Sequence, residues 1–74
     1  MSNLITVYSK PNCPQCDQTV KKLEQKGLKF EVLDVSENQE HHDKVQSMGY
    51  RQLPVVVVGE KHWSGFRPDH LGAL

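Results

Sequence analysis

Leu4-Ile5-Thr6-Val7-Tyr8 runs into Ser9-Lys10-Pro11-Asn12 and then into Cys13-Pro14-Gln15-Cys16, and the order of these three pieces decides the fold. The first is a β-branched and aromatic run of about five residues closed by the turn formers Ser9, Pro11 and Asn12, which predicts a strand. From Pro14 onward the apolar positions change period. Cys16, Val20 and Leu23 recur at i, i+4 and i+7, the spacing of a helix with one buried face. Pro14 suits the first helical position, where a missing N–H costs nothing. At the other end Gly27 follows Lys21, Lys22 and Lys26, cations that favour the negative end of the helix dipole.

Downstream of this strand-turn-helix the pattern alternates again. Leu28 to Val35 carries Phe30, Val32, Leu33 and Val35, enough for a second strand, which a helical crossover sets parallel to the first and right-handed. Ser36 with Gln39 three residues later predicts a capping box, with Glu37 and Glu40 in the first turn of a weakly amphipathic helix that Val45 and Met48 carry to Gly49. Leu53 to Val58 reads as a third strand. Gly59-Glu60 then has the length and leading glycine of a type II′ hairpin turn into an antiparallel fourth strand at Lys61-His62-Trp63. Pro68 and Asp69 open a short C-terminal helix ending at Leu74. The result is an α/β chain of order β-α-β-α-β-β-α, a four-stranded mixed sheet with three helices, treated as one domain over residues 1–74.

With 74 residues, such a chain hides only about 60–65% of the surface it exposes when unfolded, which excludes a large buried active site. A hydrophobic fraction of 36% and a charged fraction of 24% suit a small globule and argue against disorder. Nine Lys and Arg balance nine Asp and Glu, leaving no excess positive charge for a phosphate backbone, so nucleic acid is not expected as a partner. The N-terminal residues lack the basic segment, apolar run and cleavage site of a signal peptide. The longest apolar stretch, Val55 to Val58, is far short of a membrane span, and no lipidation signal is present. A cytoplasmic, monomeric protein is expected.

In a reducing compartment, two cysteines point to reactive or metal-binding thiols rather than a disulfide scaffold. A C-x-x-C at the junction of a strand and a helix within a βαβ unit is the redox arrangement. With Pro14 at the first helical position, Cys13 falls at the cap, where unpaired backbone N–H groups and the positive dipole end favour thiolate over thiol. Lys10 adds positive charge nearby. Cys16, one turn in, faces the buried side and suits a resolving thiol that attacks a mixed disulfide on Cys13. A structural disulfide would close too short a loop to stabilise much. Zinc would need further ligands, and His41, His42, His62 and His70 have no H-x₃₋₅-H spacing, so no metal is expected; His41 and His42 read as exposed residues of the second helix.

Two other segments stand out. Pro54 opens an apolar strand, where proline is tolerated because no ladder donor is lost inside the sheet. Trp63-Ser64-Gly65-Phe66-Arg67-Pro68-Asp69 gathers two aromatics and a cation between a strand and a helix. Such a group reads equally as interface anchors or as the completion of a small core.

Taken with Tyr8 to Cys16, the strings Gly49-Tyr50-Arg51-Gln52-Leu53-Pro54-Val55-Val56 and Trp63 to Asp69 resemble the NrdH-redoxins over nearly the whole chain. That resemblance implies a thioredoxin/glutaredoxin-like fold and a dithiol-disulfide oxidoreductase working through C-P-Q-C. It implies reduction by thioredoxin reductase, with electrons coming from NADPH through that flavoprotein, and delivery to the large subunit of a class Ib ribonucleotide reductase. No bound cofactor is implied beyond the Cys13–Cys16 disulfide itself. Cys13 and Cys16 are then the catalytic pair, supported by Lys10, Pro14 and a cis Leu53-Pro54 peptide, with Trp63, Ser64, Gly65, Phe66 and Arg67 beside them as the partner-binding loop. Pro14 departs toward ordinary glutaredoxins, so a glutathione-dependent glutaredoxin is the alternative. Against it stand Gln15 in place of an aromatic between the cysteines, and Ser64 to Arg67 in place of an acidic loop, with Arg67 repelling the glutathione amine.

Overall fold

The computed structural model of the protein describes residues 4–74. Met1, Ser2 and Asn3, part of the N-terminal stretch read for signal features, lie outside them. The elements follow the expected order: β1 (Ile5–Ser9), α1 (Pro14–Gln25), β2 (Phe30–Asp34), α2 (Gln39–Ser47), β3 (Val55–Val58), β4 (Lys61–Ser64) and α3 (Pro68–Gly72). In the sheet they lie as β2-β1-β3-β4. β1 runs parallel to β2 and antiparallel to β3, and β3 pairs antiparallel with β4. Gly59 has φ +60, while Glu60 stays out of the left-handed region, as the first and second positions of a type II′ turn require.

Because successive strand residues face opposite ways, the two central strands feed two cores. Ile5 and Val7 of β1 and Val56 of β3 pack with Leu23 of α1, Trp63 of β4 and Leu71 of α3. Tyr8 and Val55, offset by one residue, pack with Val35 and with Val45 of α2. A strand buried on both faces reads as a continuous apolar run, which is why Val55 to Val58 is unbroken valine. α2 contributes only Val45 as a buried residue, in keeping with its weak amphipathicity. No described helix is long and apolar enough to cross a membrane.

Both long helices end alike. At α1, Gly27 has φ +69 and donates to Glu24 O, while Leu28 N–H reaches back to Leu23 O. At α2, Gly49 has φ +85 and donates to Gln46 O, while Tyr50 N–H reaches Val45 O. These are Schellman caps, and the residue after each glycine, Leu28 or Tyr50, packs against the core cluster that holds Leu23 or Val45. α3 is a different case. Five residues cannot hold a helix alone, and its Arg67 N-cap makes no side-chain capping bond. It is held by fully buried Leu71, by His70 stacked on Trp63 with ring centroids 4.8 Å apart, and by Lys26 Nζ donating to Gly72 O.

The expected capping box at Ser36 is not formed. Ser36 N–H and Oγ–H both donate to Asp34 Oδ1, at 2.8 and 2.6 Å, which closes an Asx turn and holds the Asp34 carboxyl below its ordinary pKa. Asn38 caps α2 instead, its Oδ1 accepting from Glu40 N–H at 2.9 Å, and Gln39 reaches forward to Asp43. His41 and His42 lie on α2 but are half-buried rather than exposed, His41 edge-on against Tyr8. Asn38→Ala should therefore destabilise the fold by about 1 kcal/mol, lowering Tm by about 4–8 °C. Gln39→Ala should stay within about 0.5 kcal/mol, and chemical denaturation of the two variants measures the difference.

Candidate functional site

The site forms where β1 ends and α1 begins. Asn12 makes the turn with φ +58, a left-handed conformation that asparagine tolerates better than most residues. The chain then enters Cys13 in extended geometry, with Pro14 starting the helix. Cys13 is the N-cap residue, and its Sγ accepts the Cys16 N–H at 3.2 Å. Sulfur thus takes the place that a serine or aspartate oxygen usually fills. Cys13 and Cys16 are joined as a disulfide with Cα atoms 5.2 Å apart, and both are buried. One turn on, fully buried Thr19 returns its Oγ1–H to Gln15 O, so its hydroxyl is satisfied within the helix.

Across from the sulfur lies the segment before β3. Leu53 O is 3.9 Å from Cys13 Sγ, Leu53-Pro54 is cis, and Pro54 is fully buried. On the other side of Leu53, a groove of about 810 Å³ opens, lined by Lys10, His42, Tyr50, Arg51, Gln52 and Leu53 above Val35 and Val45. Its lining has no carboxylate, although the chain as a whole is neutral. Lys10 is therefore on the groove wall, exposed. Among the described residues no three His, Cys, Asp or Glu side chains gather as a metal site.

The Trp63–Arg67 segment divides. Trp63 is not a surface anchor: it is 7% exposed and belongs to the α1/α3 core. Its indole N–H finds no acceptor among the described residues, so packing and the His70 stack hold the ring. Phe66 is half-buried against the same core. Gly65, φ +80, donates its N–H to Pro54 O at 2.7 Å, tying the loop to the residue beside the disulfide. Arg67 is not a free cation. Its Nε and Nη2 donate to Asp69 at 3.3 and 3.2 Å, and these bonds hold the exposed Asp69 carboxyl below its ordinary pKa. Sequence pattern alone missed one connection: Gln15 Oε1 accepts from Phe66 N–H at 3.2 Å and from Gln52 Nε2 at 3.5 Å. Residues 15, 52 and 66 share no period, and only the glutamine between the cysteines hinted at it.

A family model for glutaredoxin matches residues 5–63. The glutaredoxin-like protein NrdH of Salmonella typhimurium is 43% identical over 70 residues, covering 95% of this chain and 86% of that protein. The chain belongs to the NrdH group of the glutaredoxin family. Its counterpart in Lactococcus lactis subsp. lactis is 39% identical over 71 residues, 96% of this chain and 99% of that one. Among solved structures, the NrdH-redoxin from Escherichia coli superposes with a TM-score of 0.93 at 41% identity, covering 96% and 93% of the two chains. That structure is described as the basis of a thioredoxin-like activity profile in a glutaredoxin-like protein. The fold is accordingly the thioredoxin/glutaredoxin fold, and the protein is a thiol-disulfide oxidoreductase with a C-x-x-C pair at Cys13 and Cys16.

The Arg67–Asp69 pair makes a measurable prediction. A carboxyl whose folded pKa lies below its unfolded one favours the fold at pH above the ordinary carboxylate range, and that contribution is lost as pH falls through the folded value. Arg67→Gln should move the Asp69 midpoint up toward its ordinary value, read by the side-chain carboxyl shift in an NMR titration.

Proposed function

We propose that the protein is a dithiol electron carrier in which Cys13 attacks and Cys16 resolves. The observation that carries this reading is Cys13 Sγ at the cap of α1, accepting a backbone N–H. In the reduced protein the same donor, with the positive end of the helix dipole, stabilises a thiolate at Cys13. The thiolate attacks one sulfur of a partner disulfide, forming a mixed disulfide and releasing the other partner sulfur as a thiolate. Cys16 loses its proton and attacks Cys13 Sγ, the second partner sulfur leaves as a thiolate, and both leaving thiolates take up protons. Two electrons pass to the partner and the Cys13–Cys16 disulfide forms. Reduction by a dithiol partner runs the same steps backward.

We assign thioredoxin reductase as the donor, supplying electrons from NADPH, and the large subunit of a class Ib ribonucleotide reductase as the acceptor. The NrdH relatives and the thioredoxin-like profile described for the E. coli protein support this assignment. Leu53, whose carbonyl lies beside Cys13, would pair through its backbone with an extended partner segment. The cationic groove beyond it would take that segment's flank, while Ser64, Gly65, Phe66 and Arg67 form the opposite rim over buried Trp63. One observation favours glutathione as a second reading. Asp69 already neutralises Arg67, which weakens the repulsion that would exclude a glutathione amine.

A coupled assay separates the two readings. NADPH oxidation with thioredoxin reductase and a disulfide substrate should outpace turnover with glutathione and its reductase, and the reverse order would establish the glutathione reading. Cys16→Ser should trap a mixed disulfide with partner protein while Cys13→Ser traps none, and iodoacetamide should label Cys13 first at pH 7. Phe66→Ala should raise KM for thioredoxin reductase by about tenfold or more. Its Tm, recorded alongside, registers what the truncation costs the core.

A further inference from the structure

Gln15 is exposed, and nothing in helix formation requires a glutamine there. Its side-chain oxygen nevertheless collects two donors from distant parts of the chain, Phe66 N–H in the β4–α3 loop and the Gln52 amide ahead of Leu53. Gly65 fits against the same pair: a Cβ at that position would lie 3.6 Å from Gln15 Oε1 and 3.8 Å from the Gln52 side chain. Through its own N–H, Gly65 is also bonded to Pro54 O. The redox turn, the approach to β3 and the loop after β4 therefore meet around one amide oxygen, which has a lone pair for each donor.

We propose that Gln15 is a positioning residue that fastens the Gly65–Arg67 loop to the Cys13–Cys16 turn, and that this fastening sets how tightly a protein partner docks. The role rests on the reading that this loop meets the partner. Gln15 acts through Phe66 and Gln52 and takes no part in sulfur exchange. Without its acceptor the loop is tied toward the redox turn by the Gly65–Pro54 bond and the packing of Phe66. An exposed hydrogen bond of this kind shifts a local opening equilibrium by a modest factor, so its loss should loosen the rim without unfolding the domain.

The test uses the full chain carrying Gln15→Met, similar in length but lacking the acceptor, and Gln15→Glu, which keeps it. Hydrogen exchange at the Phe66 amide reads the fastening, and KM and kcat with thioredoxin reductase read its consequence. In Gln15→Met, Phe66 exchange should quicken about three- to tenfold, with a KM rise of similar size that kcat does not follow. In Gln15→Glu both exchange and KM should return to wild-type values, because a carboxylate accepts the same two bonds. Unchanged Phe66 exchange in Gln15→Met would overturn the proposal. So would KM rising equally in both variants, which would mean that Gln15 touches the partner directly, or a fall confined to kcat. If Phe66→Ala leaves KM at the wild-type value, it is the loop reading that fails, whatever the exchange data show.

Discussion

The first turn of an α-helix leaves backbone N–H groups without helical partners, and here a sulfur atom answers for one of them. Cys13 serves as both the cap of α1 and one half of the disulfide. Structure and chemistry are therefore bound to the same atom, and the surrounding arrangement follows from keeping it there. β1 must end close to the helix start, which the Pro11-Asn12 turn permits. Pro14 must begin the helix without wasting a donor. Cys16 must fall one turn later, within bonding distance of the cap and facing inward. A cap built from serine would hold the helix equally well, but it could neither accept nor release electrons.

The sheet gives this arrangement its rigidity. β1 and β3 are central and buried on both faces, so the end of β1 that carries the redox turn and the start of β3 that carries Pro54 are fixed relative to one another by the β1–β3 ladder, with Tyr8 opposite Val55. A site built across two adjacent central strands needs no large domain to support it. This explains how a chain of 74 residues, with no room for a deep pocket, keeps a nearly buried sulfur and a backbone carbonyl facing each other.

Local chemistry in the sequence was enough for most of this. The change from a strand period at Leu4–Tyr8 to a helical period at Cys16, Val20 and Leu23 locates the redox turn, and Gly27, Gly49 and Gly59 mark the turns where the backbone takes a positive φ. The reading failed where two residues could do one job or where contact is long-range. Ser36 and Asn38 are both competent caps; Asp34, two residues before Ser36, captures the serine and leaves the helix to Asn38. Trp63 sits in a segment rich in surface signals, yet β4 alternates, and the register that pairs Trp63 with Val56 turns the indole inward. The Gln15 connection spans 37 and 51 positions along the chain, beyond any periodic signal.

Burial of Trp63 constrains the partner recognition proposed for this rim. A domain this small has few large apolar side chains, and the core beneath α3 uses Trp63, Leu71 and part of Phe66. Phe66 alone of the two aromatics keeps partial exposure, so side-chain anchoring at this rim is limited. Backbone groups and charge must supply the remainder. The Leu53 carbonyl stands beside Cys13, and Lys10 and Arg51 line a groove whose own lining has no carboxylate. Main-chain pairing is tolerant of the partner's side chains, whereas charge acts at longer range and orients the approach. On the proposed reading, in which one protein supplies the electrons and another takes them, that combination serves both contacts, because neither demands a deep pocket shaped to a single ligand. If the rim meets the partner as proposed, selectivity falls to its geometry, and the β4–α3 loop is held against the redox turn through Gln15 and Pro54.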